Sequence, residues 1–249
     1  LACFAYTVFI IFRQKKISQM KNDFINNMTH EFKTPIATIS LASDSIENPK
    51  VISEPDRVKR FIDIIKQENR RMLRQVEKVL DLAKIDKRDF QLDLIPLDIH
   101  EVLDEAIESF ELSIHKRNGK IERSYHAQNS IIQADKTHIA NIFYNLIDNA
   151  QKYVEKNPAI EIKTYNKSGH IYIEVSDNGI GISKENQRYI FDKFYRVPTG
   201  NVHNVKGFGL GLNYVQRMLE KHGGNIKVQS SLGRGSTFTV QLDVIDKKV

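Results

Sequence analysis

The chain has 249 residues, 41% hydrophobic and 27% charged, with a formal net charge of +6. That is long enough for one large or two modest domains with real cores. A single cysteine, Cys3, excludes an internal disulfide, no Cys/His cluster has zinc spacing, and the basic residues are not gathered with aromatics into one stripe, so no nucleic-acid partner is expected.

The first element is an uncharged run, Leu1–Phe12 (LACFAYTVFIIF), followed at once by Arg13, Lys15 and Lys16. Twelve residues are too few to cross a bilayer, which takes about 20. Basic residues placed after the apolar run are what the cytoplasmic side of a membrane helix carries, whereas a signal peptide has them before it. Residues 1–12 are therefore expected to be the C-terminal part of a transmembrane helix that enters the cytoplasm at Arg13.

From Ile17 the pattern is helical. Ile25, Met28, Phe32, Pro35, Ile39, Ala42 and Ile46 follow alternating three- and four-residue steps, the seam of a heptad. NPKVISEPD interrupts, with Pro49, Pro55 and a Ser53 cap ahead of a second helix. There Val58, Ile62, Ile65, Asn69, Met72, Val76, Val79 and Ala83 repeat the spacing, and Phe61, Leu73 and Leu80 widen the stripe. One partner helix cannot bury so wide a face, which predicts two hairpins joined as a dimeric four-helix bundle.

On that seam His30 falls at the outermost point, with Glu31 beside it and Thr34 one turn later on the same face. An exposed imidazole next to a carboxylate that can take its proton reads as a nucleophile, or as an ordinary surface pair. Pro35 has no N–H for the Glu31 carbonyl, so a kink or loosening is expected just after the histidine.

Near Asp86 the heptad stops. DFQLDLIPLDI reads as a strand ending in a turn, and Asp98 caps the helix that starts at Ile99. KIERSYH and SIIQA read as strands, and Asp135 caps KTHIANIFYNLIDNAQKYVEK. AIEIKTY and HIYIEVSD alternate as strands, a helix is expected near 209–222, and NIKVQS and STFTVQLDV close the chain. The order predicts a layered α+β arrangement, a mixed sheet covered on one side by helices.

Chemistry clusters in this second part. Asn141, Asn145 and Asn149 recur every fourth residue on one helix face, away from Ile142, Phe143, Leu146, Ile147 and Ala150. Amides in a row cost helix propensity, while their carbonyl oxygens are hard ligands suited to Mg²⁺ with phosphates; a solvated face is the plainer reading. Lys152 and Tyr153 extend it. DNGIGI sets Gly179 and Gly181 after Asp177, KGFGLGL puts Gly207, Gly209 and Gly211 at the mouth of a helix, and GRGSTF adds Gly233 and Gly235. Such helix starts favour phosphate, yet neither a Walker A loop nor a dinucleotide fingerprint is present.

Taken in order, HEFKTP, NLIDNAQKY, DNGIGI, FDKFYR, GFGLGL and GRGSTF resemble the transmitter region of bacterial sensor histidine kinases of two-component systems, from about Ser18 to Leu242. The resemblance implies an all-α helical hairpin (a dimeric four-helix bundle), residues 13–87, for dimerisation and histidine phosphotransfer. It implies an α+β two-layer sandwich, residues 88–249, for ATP binding, of the GHKL (Bergerat) kind shared with gyrase, the ninety-kilodalton heat-shock chaperone and the mismatch-repair ATPases. His30 would be the phosphoacceptor, Glu31 its acid/base, and Thr34 the residue used to dephosphorylate a response regulator. Asn149 would hold Mg²⁺, supported by Asn145, with Lys152 and Tyr153 near the nucleotide. Asp177 would take the adenine amino group in a pocket shaped by Gly179, Gly181 and Ile182. Phe191, Phe194 and Arg196 match the F box, residues 197–206 the ATP lid, Gly209, Leu210, Gly211 and Leu212 the phosphate side, and Thr237 the adenine side. Phe208 departs from the small or polar residue common there, and the stretch from Arg13 to His30 is too short for a membrane-proximal relay domain.

The implied activity is ATP-dependent autophosphorylation of His30 and transfer to a response-regulator aspartate, in a homodimer at the cytoplasmic membrane, with ATP and Mg²⁺. The alternatives are an ATP-binding signalling scaffold with weak or no transfer, and a gyrase-like clamp. Intact His30, Glu31 and Asn149 speak against the first, and the hairpin against the second.

Overall fold

A computed structural model describes residues 2–85, 90–197 and 209–245. The chain divides into two compact units, one of Leu1–Asp86 with Lys206–Leu210 and the other of Lys87–Val205 with Gly211–Val249. Residues 86–89, where the heptad stops, lie outside the described residues.

The first unit is a hairpin of α1 (Ala2–Ile46) and α3 (Pro55–Ile85), joined through the single-turn α2 (Pro49–Ile52). Helix α1 takes in the apolar residues at its start, so these and the hairpin arm form one element. Among the described residues no helix is long and apolar enough to cross a membrane. The expected break at Pro35 does not interrupt α1. The missing amide costs one rung of the ladder, and the turns around it are tied by side chains: Thr34 Oγ1 donates to the His30 carbonyl (3.4 Å) and Thr38 Oγ1 to the Thr34 carbonyl (3.0 Å).

Ser53 does not cap α3. It ends α2, its Oγ donating to the Lys50 carbonyl at 3.1 Å, while Asn48 Oδ1 accepts from the Lys50 amide at 3.0 Å to start that turn. Pro49, preset for a first helical position, makes the intervening turn helical.

Inside the hairpin Met28, Phe32, Pro35, Ile39 and Ala42 of α1 turn inward, as do Val58, Phe61, Ile65, Met72 and Val79 of α3. Ile25, Ile62, Asn69 and Val76, read as seam, are exposed instead, together with Ile36, Leu41, Leu73 and Leu80. A helix meets one partner along one stripe, so the broad apolar face splits into an inner line and an outer one.

The second unit opens with β1 (Ile95–Asp98) and α4 (Ile99–His115), followed by β2 (Lys120–Tyr125), β3 (Ile131–Ala134) and α5 (Lys136–Lys152). Then come β4 (Ala159–Lys167), β5 (His170–Asp177), a 3₁₀ turn at Asn186–Arg188, α6 (Gly211–Lys221), β6 (Asn225–Ser230) and β7 (Ser236–Asp243). Five strands form one sheet in the order β2-β4-β5-β7-β6, with β2 and β4 parallel and the other pairs antiparallel. Strands β1 and β3 pair antiparallel, β3 also bridging Val244 through Ile132, and where a long strand was expected from Asp89 the strand β1 has four residues.

Asp98 and Asp135 cap α4 and α5 as their sequence positions predict: their Oδ1 atoms accept from the amides of His100 (2.9 Å) and His138 (3.2 Å). Alternation in β4 buries Ile160, Ile162 and Thr164 and exposes Glu161 and Lys163. Those inward residues, Ile173 and Val240 of the sheet, and Ile107, Phe143, Ile147, Val215 and Met218 of the helices are all within 2% of fully buried. One wet and one covered sheet face is the two-layer solution.

Candidate functional site

On α1, His30 and Thr34 are exposed, as the heptad predicts. Glu31 is half-buried and turned to α3, where Arg71 Nη2 lies 3.5 Å from its Oε2 and Arg71 Nη1 3.5 Å from Glu68 Oε2. The carboxylate that follows the histidine is thus held by an arginine that periodicity did not single out. Only the folded hairpin brings positions 40 apart together.

In the second unit the conspicuous chemistry surrounds the end of β5. Asp177 Oδ1 accepts from the Gly179 amide at 2.7 Å and the Ser236 amide at 3.3 Å. Burial raises the Asp177 pKa above the ordinary carboxylate value, and those two N–H groups pull it back.

Glycine is required around it by contact. A Cβ on Gly179 would stand 2.7 Å from both Asp177 Oδ1 and the Tyr153 carbonyl oxygen. On Gly181 (φ +70°) it would stand 2.0 Å from the Ser231 carbonyl, and on Gly235 (φ +84°) 1.9 Å from the Asp177 carbonyl. Side chains there would force the backbone apart. The Ile182 amide donates to Ser230 Oγ (2.8 Å), and Gln187 Nε2 spans the carbonyls of Ile182 (2.7 Å) and Ser230 (2.9 Å). Gln187 carries no motif signal; only the fold reveals it.

Helix α5 borders the same loop. Asn145 Nδ2 donates to the Asn141 carbonyl at 2.7 Å, and a Cβ on Gly211 would meet Asn145 Oδ1 at 2.8 Å. The amide row therefore abuts the first turn of α6, where Gly211 and Leu212 stand, preceded by Gly209 (φ +69°) and the buried Leu210. Asn149 is half-buried one turn beyond Asn145, and its carbonyl accepts from the Tyr153 amide (3.1 Å). Lys152 is paired with Asp148. Burial raises the Tyr153 phenol pKa, the Arg196 charge opposing this and Asp148 adding to it.

Phe194 adopts φ +73°, a strained backbone for an aromatic, with Lys193 over its ring at 5.5 Å. Asn213 Nδ2 of α6 donates to the Phe191 carbonyl at 2.8 Å, tying this segment to the helix.

Thr237 is turned elsewhere. Its Oγ1 lies 2.9 Å from Ser176 Oγ, while its neighbour Ser236 is buried, donates its amide to Asp177 and has its hydroxyl 2.9 Å from Ser230 Oγ. Strand alternation puts one of these two hydroxyls on each sheet face, and the one on the Asp177 side belongs to Ser236. The expected lid, from residue 198 on, lies outside the described residues, as do Gly207 and Phe208.

The Asp177 environment yields a prediction. A carboxyl whose folded pKa is raised gives stability that is present below its unfolded pKa and lost as pH rises through the folded one. Asn at 177 can accept the same two N–H bonds without charge. The nucleotide-free Asp177→Asn chain should therefore melt a few degrees above wild type near pH 8, and the gap should close toward about pH 4. Equal midpoints at both values would mean the two N–H donors fully offset the burial.

Comparison with known proteins gives the following. Residues 20–88 match the family model of the His Kinase A (phospho-acceptor) domain, and residues 134–246 that of the histidine kinase-, DNA gyrase B- and HSP90-like ATPase. The sensor protein RprX of Bacteroides fragilis (strain YCH46) is 46% identical over 247 residues, 98% of this chain and 48% of that protein. The chain thus spans about half the length of this relative. Full-length ShkA in complex with AMPPNP superposes with a TM-score of 0.68 at 24% identity, over 89% of this chain and 46% of that one. Histidine kinase ThkA in complex with response regulator protein TrrA gives 0.62 at 22%, over 89% and 61%. At such identities the structural likeness shows the fold: a helical hairpin followed by an ATPase-type sheet and helices.

Proposed function

The chain belongs to the sensor histidine kinases and carries their transmitter region, and from that premise we propose that it transfers the γ-phosphoryl group of ATP to His30 and then to an aspartate of a response-regulator receiver domain. The carrying observation is the wall of Gly179, Gly181 and Gly235 around the half-buried Asp177, in a chain that also presents His30 exposed on α1.

In the first step an imidazole nitrogen of His30 attacks the γ-phosphorus, a P–N bond forms, the P–O bond to ADP breaks, and Glu31 takes the imidazole proton. In the second the P–N bond breaks as a carboxylate of the regulator forms an acyl phosphate. Asp177 accepts the adenine amino group, with Ile182 and Ser236 beside it. The free oxygen chemistry of Asn145 and Asn149 suits a cation carried by phosphates, and no group of three His, Cys, Asp or Glu able to hold a metal occurs among the described residues. Asn149 would hold the Mg²⁺, which supplies charge neutralisation on the phosphates when bound. Lys152, Tyr153, Phe194 and Arg196 line the nucleotide, and the N–H groups at Gly209, Leu210, Gly211 and Leu212 face its phosphates at the positive end of α6. Thr34 serves the reverse task, orienting water on the phosphorylated regulator.

The outer line of Ile25, Ile36, Leu41, Leu73, Val76 and Leu80 supports a homodimer, since a second hairpin would cover it. A place on the cytoplasmic side of the membrane is supported by Arg13, Lys15 and Lys16 after the apolar run. The test of the central reading is incubation of the chain with γ-labelled ATP and Mg²⁺. Acid-labile, alkali-stable label is the expected result; ATP binding without any label would overturn the kinase reading in favour of a scaffold.

A further inference from the structure

The turn that follows α4 reaches across to the end of α5. Arg117 Nη1 donates to the Gln151 carbonyl at 2.6 Å, and Nη2 to the carbonyls of Val154 (2.5 Å) and Glu155 (3.3 Å). Gln151 is in the last turn of α5, where carbonyls lack intrahelical partners and the dipole favours a cation. A guanidinium fork suits several carbonyls at once, which a lysine cannot match.

The backbone interlocks the same two turns. Asn118 takes φ +53°, and a Cβ on Gly119 would stand 2.4 Å from the Pro158 carbonyl, which accepts from the Lys120 amide at 2.7 Å. Ser113 Oγ adds a bond to Gln151 Oε1 at 2.9 Å. The α5–β4 turn, residues 153–158, is therefore held from one side by the turn at 116–120.

Its other side grips the glycine loop after β5. The Tyr153 carbonyl accepts from the Ile180 amide at 3.0 Å. Asn178 Nδ2 donates to the Asn157 carbonyl (3.2 Å), and Asn178 Oδ1 accepts from the Ala159 amide (2.9 Å). Gly179 fits under the Tyr153 carbonyl only because it has no Cβ.

We propose that Arg117 is a positioning residue for nucleotide binding: by clamping the α5–β4 turn it sets the loop 178–180 beside Asp177 from behind. It touches no nucleotide and acts through three backbone carbonyls. The inference rests on the ATP-binding reading of the Asp177 pocket.

The experiment is ADP titration calorimetry on the whole chain, for wild type, Arg117→Met, Arg117→Lys and Arg123→Met. Arg123 pairs with Asp104 (2.9 Å) and Glu111 (2.8 Å) and makes neither bond to the α5–β4 turn. Arg117→Met should weaken ADP binding about fivefold to tenfold, Arg117→Lys by less, and Arg123→Met by under about twofold. Amide hydrogen exchange of nucleotide-free Arg117→Lys should show faster exchange at Ile180, with β7 amides unchanged; this readout stands even if Arg117→Met does not fold. Unchanged Ile180 protection, or equal ADP weakening in Arg123→Met, would overturn the proposal. Failure of wild type itself to bind ADP would instead bring down the ATP-binding reading.

Discussion

His30→Gln is expected to remove label incorporation from γ-labelled ATP altogether, by at least about 1,000-fold, because the nucleophile itself is gone. The position favours a clean test. His30 is exposed on α1, and glutamine is a good helix former, so stability should stay within about 0.5 kcal/mol of wild type. The neighbouring groups would declare themselves if they took over. Glu31, held by Arg71 at 3.5 Å, could form only an acyl phosphate, which alkali cleaves. Thr34, whose hydroxyl donates to the His30 carbonyl, would give an acid-stable ester. Label that persists in His30→Gln with wild-type acid lability would move the acceptor to another histidine and defeat the assignment.

What could be read from the chain beforehand was whatever is local. Asp98 and Asp135 announce their helices because a short acid side chain caps the amide two or three residues on. Strands β4 and β5 announce themselves by alternation, which burial on one face imposes. The expectations that failed turned on competing neighbours or on packing that a linear pattern does not show. Ser53 looks like a cap until Asn48 and Pro49 are seen to make a turn of their own. Ile25 and Val76 fit a heptad, but which apolar stripe faces the other arm is decided by packing across the hairpin. Thr237 and Ser236 are adjacent hydroxyls, and strand register with Ser176 and Asp177 assigns one to each face. Arg71, Arg117 and Gln187 give no pattern at all, since an arginine or amide that bonds groups tens of residues away resembles any surface residue in a linear reading.

Asn149→Asp should lower the rate of autophosphorylation by at least about 100-fold while leaving the fold intact. The substitution is nearly isosteric, so its effect is one of charge. Asp148 and Asp177 already place two carboxylates on this helix and at the end of β5, and Lys152 is committed to Asp148. On the proposed reading a third carboxylate would repel the triphosphate where a neutral amide oxygen would accept its cation. At the C-terminal turn of α5 the new charge also opposes the helix dipole, a cost of about 0.3–1 kcal/mol that should show as a small drop in melting temperature. Asn145→Asp provides the contrast. There the Nδ2 bond to the Asn141 carbonyl is lost and a charged oxygen faces Gly211, so stability and transfer should fall together. Label incorporation measured beside thermal melts separates the two. If Asn149→Asp kept more than about a tenth of the wild-type rate, the amide row on α5 would be a solvated face, and cation binding with the phosphates would have to be sought elsewhere in the pocket.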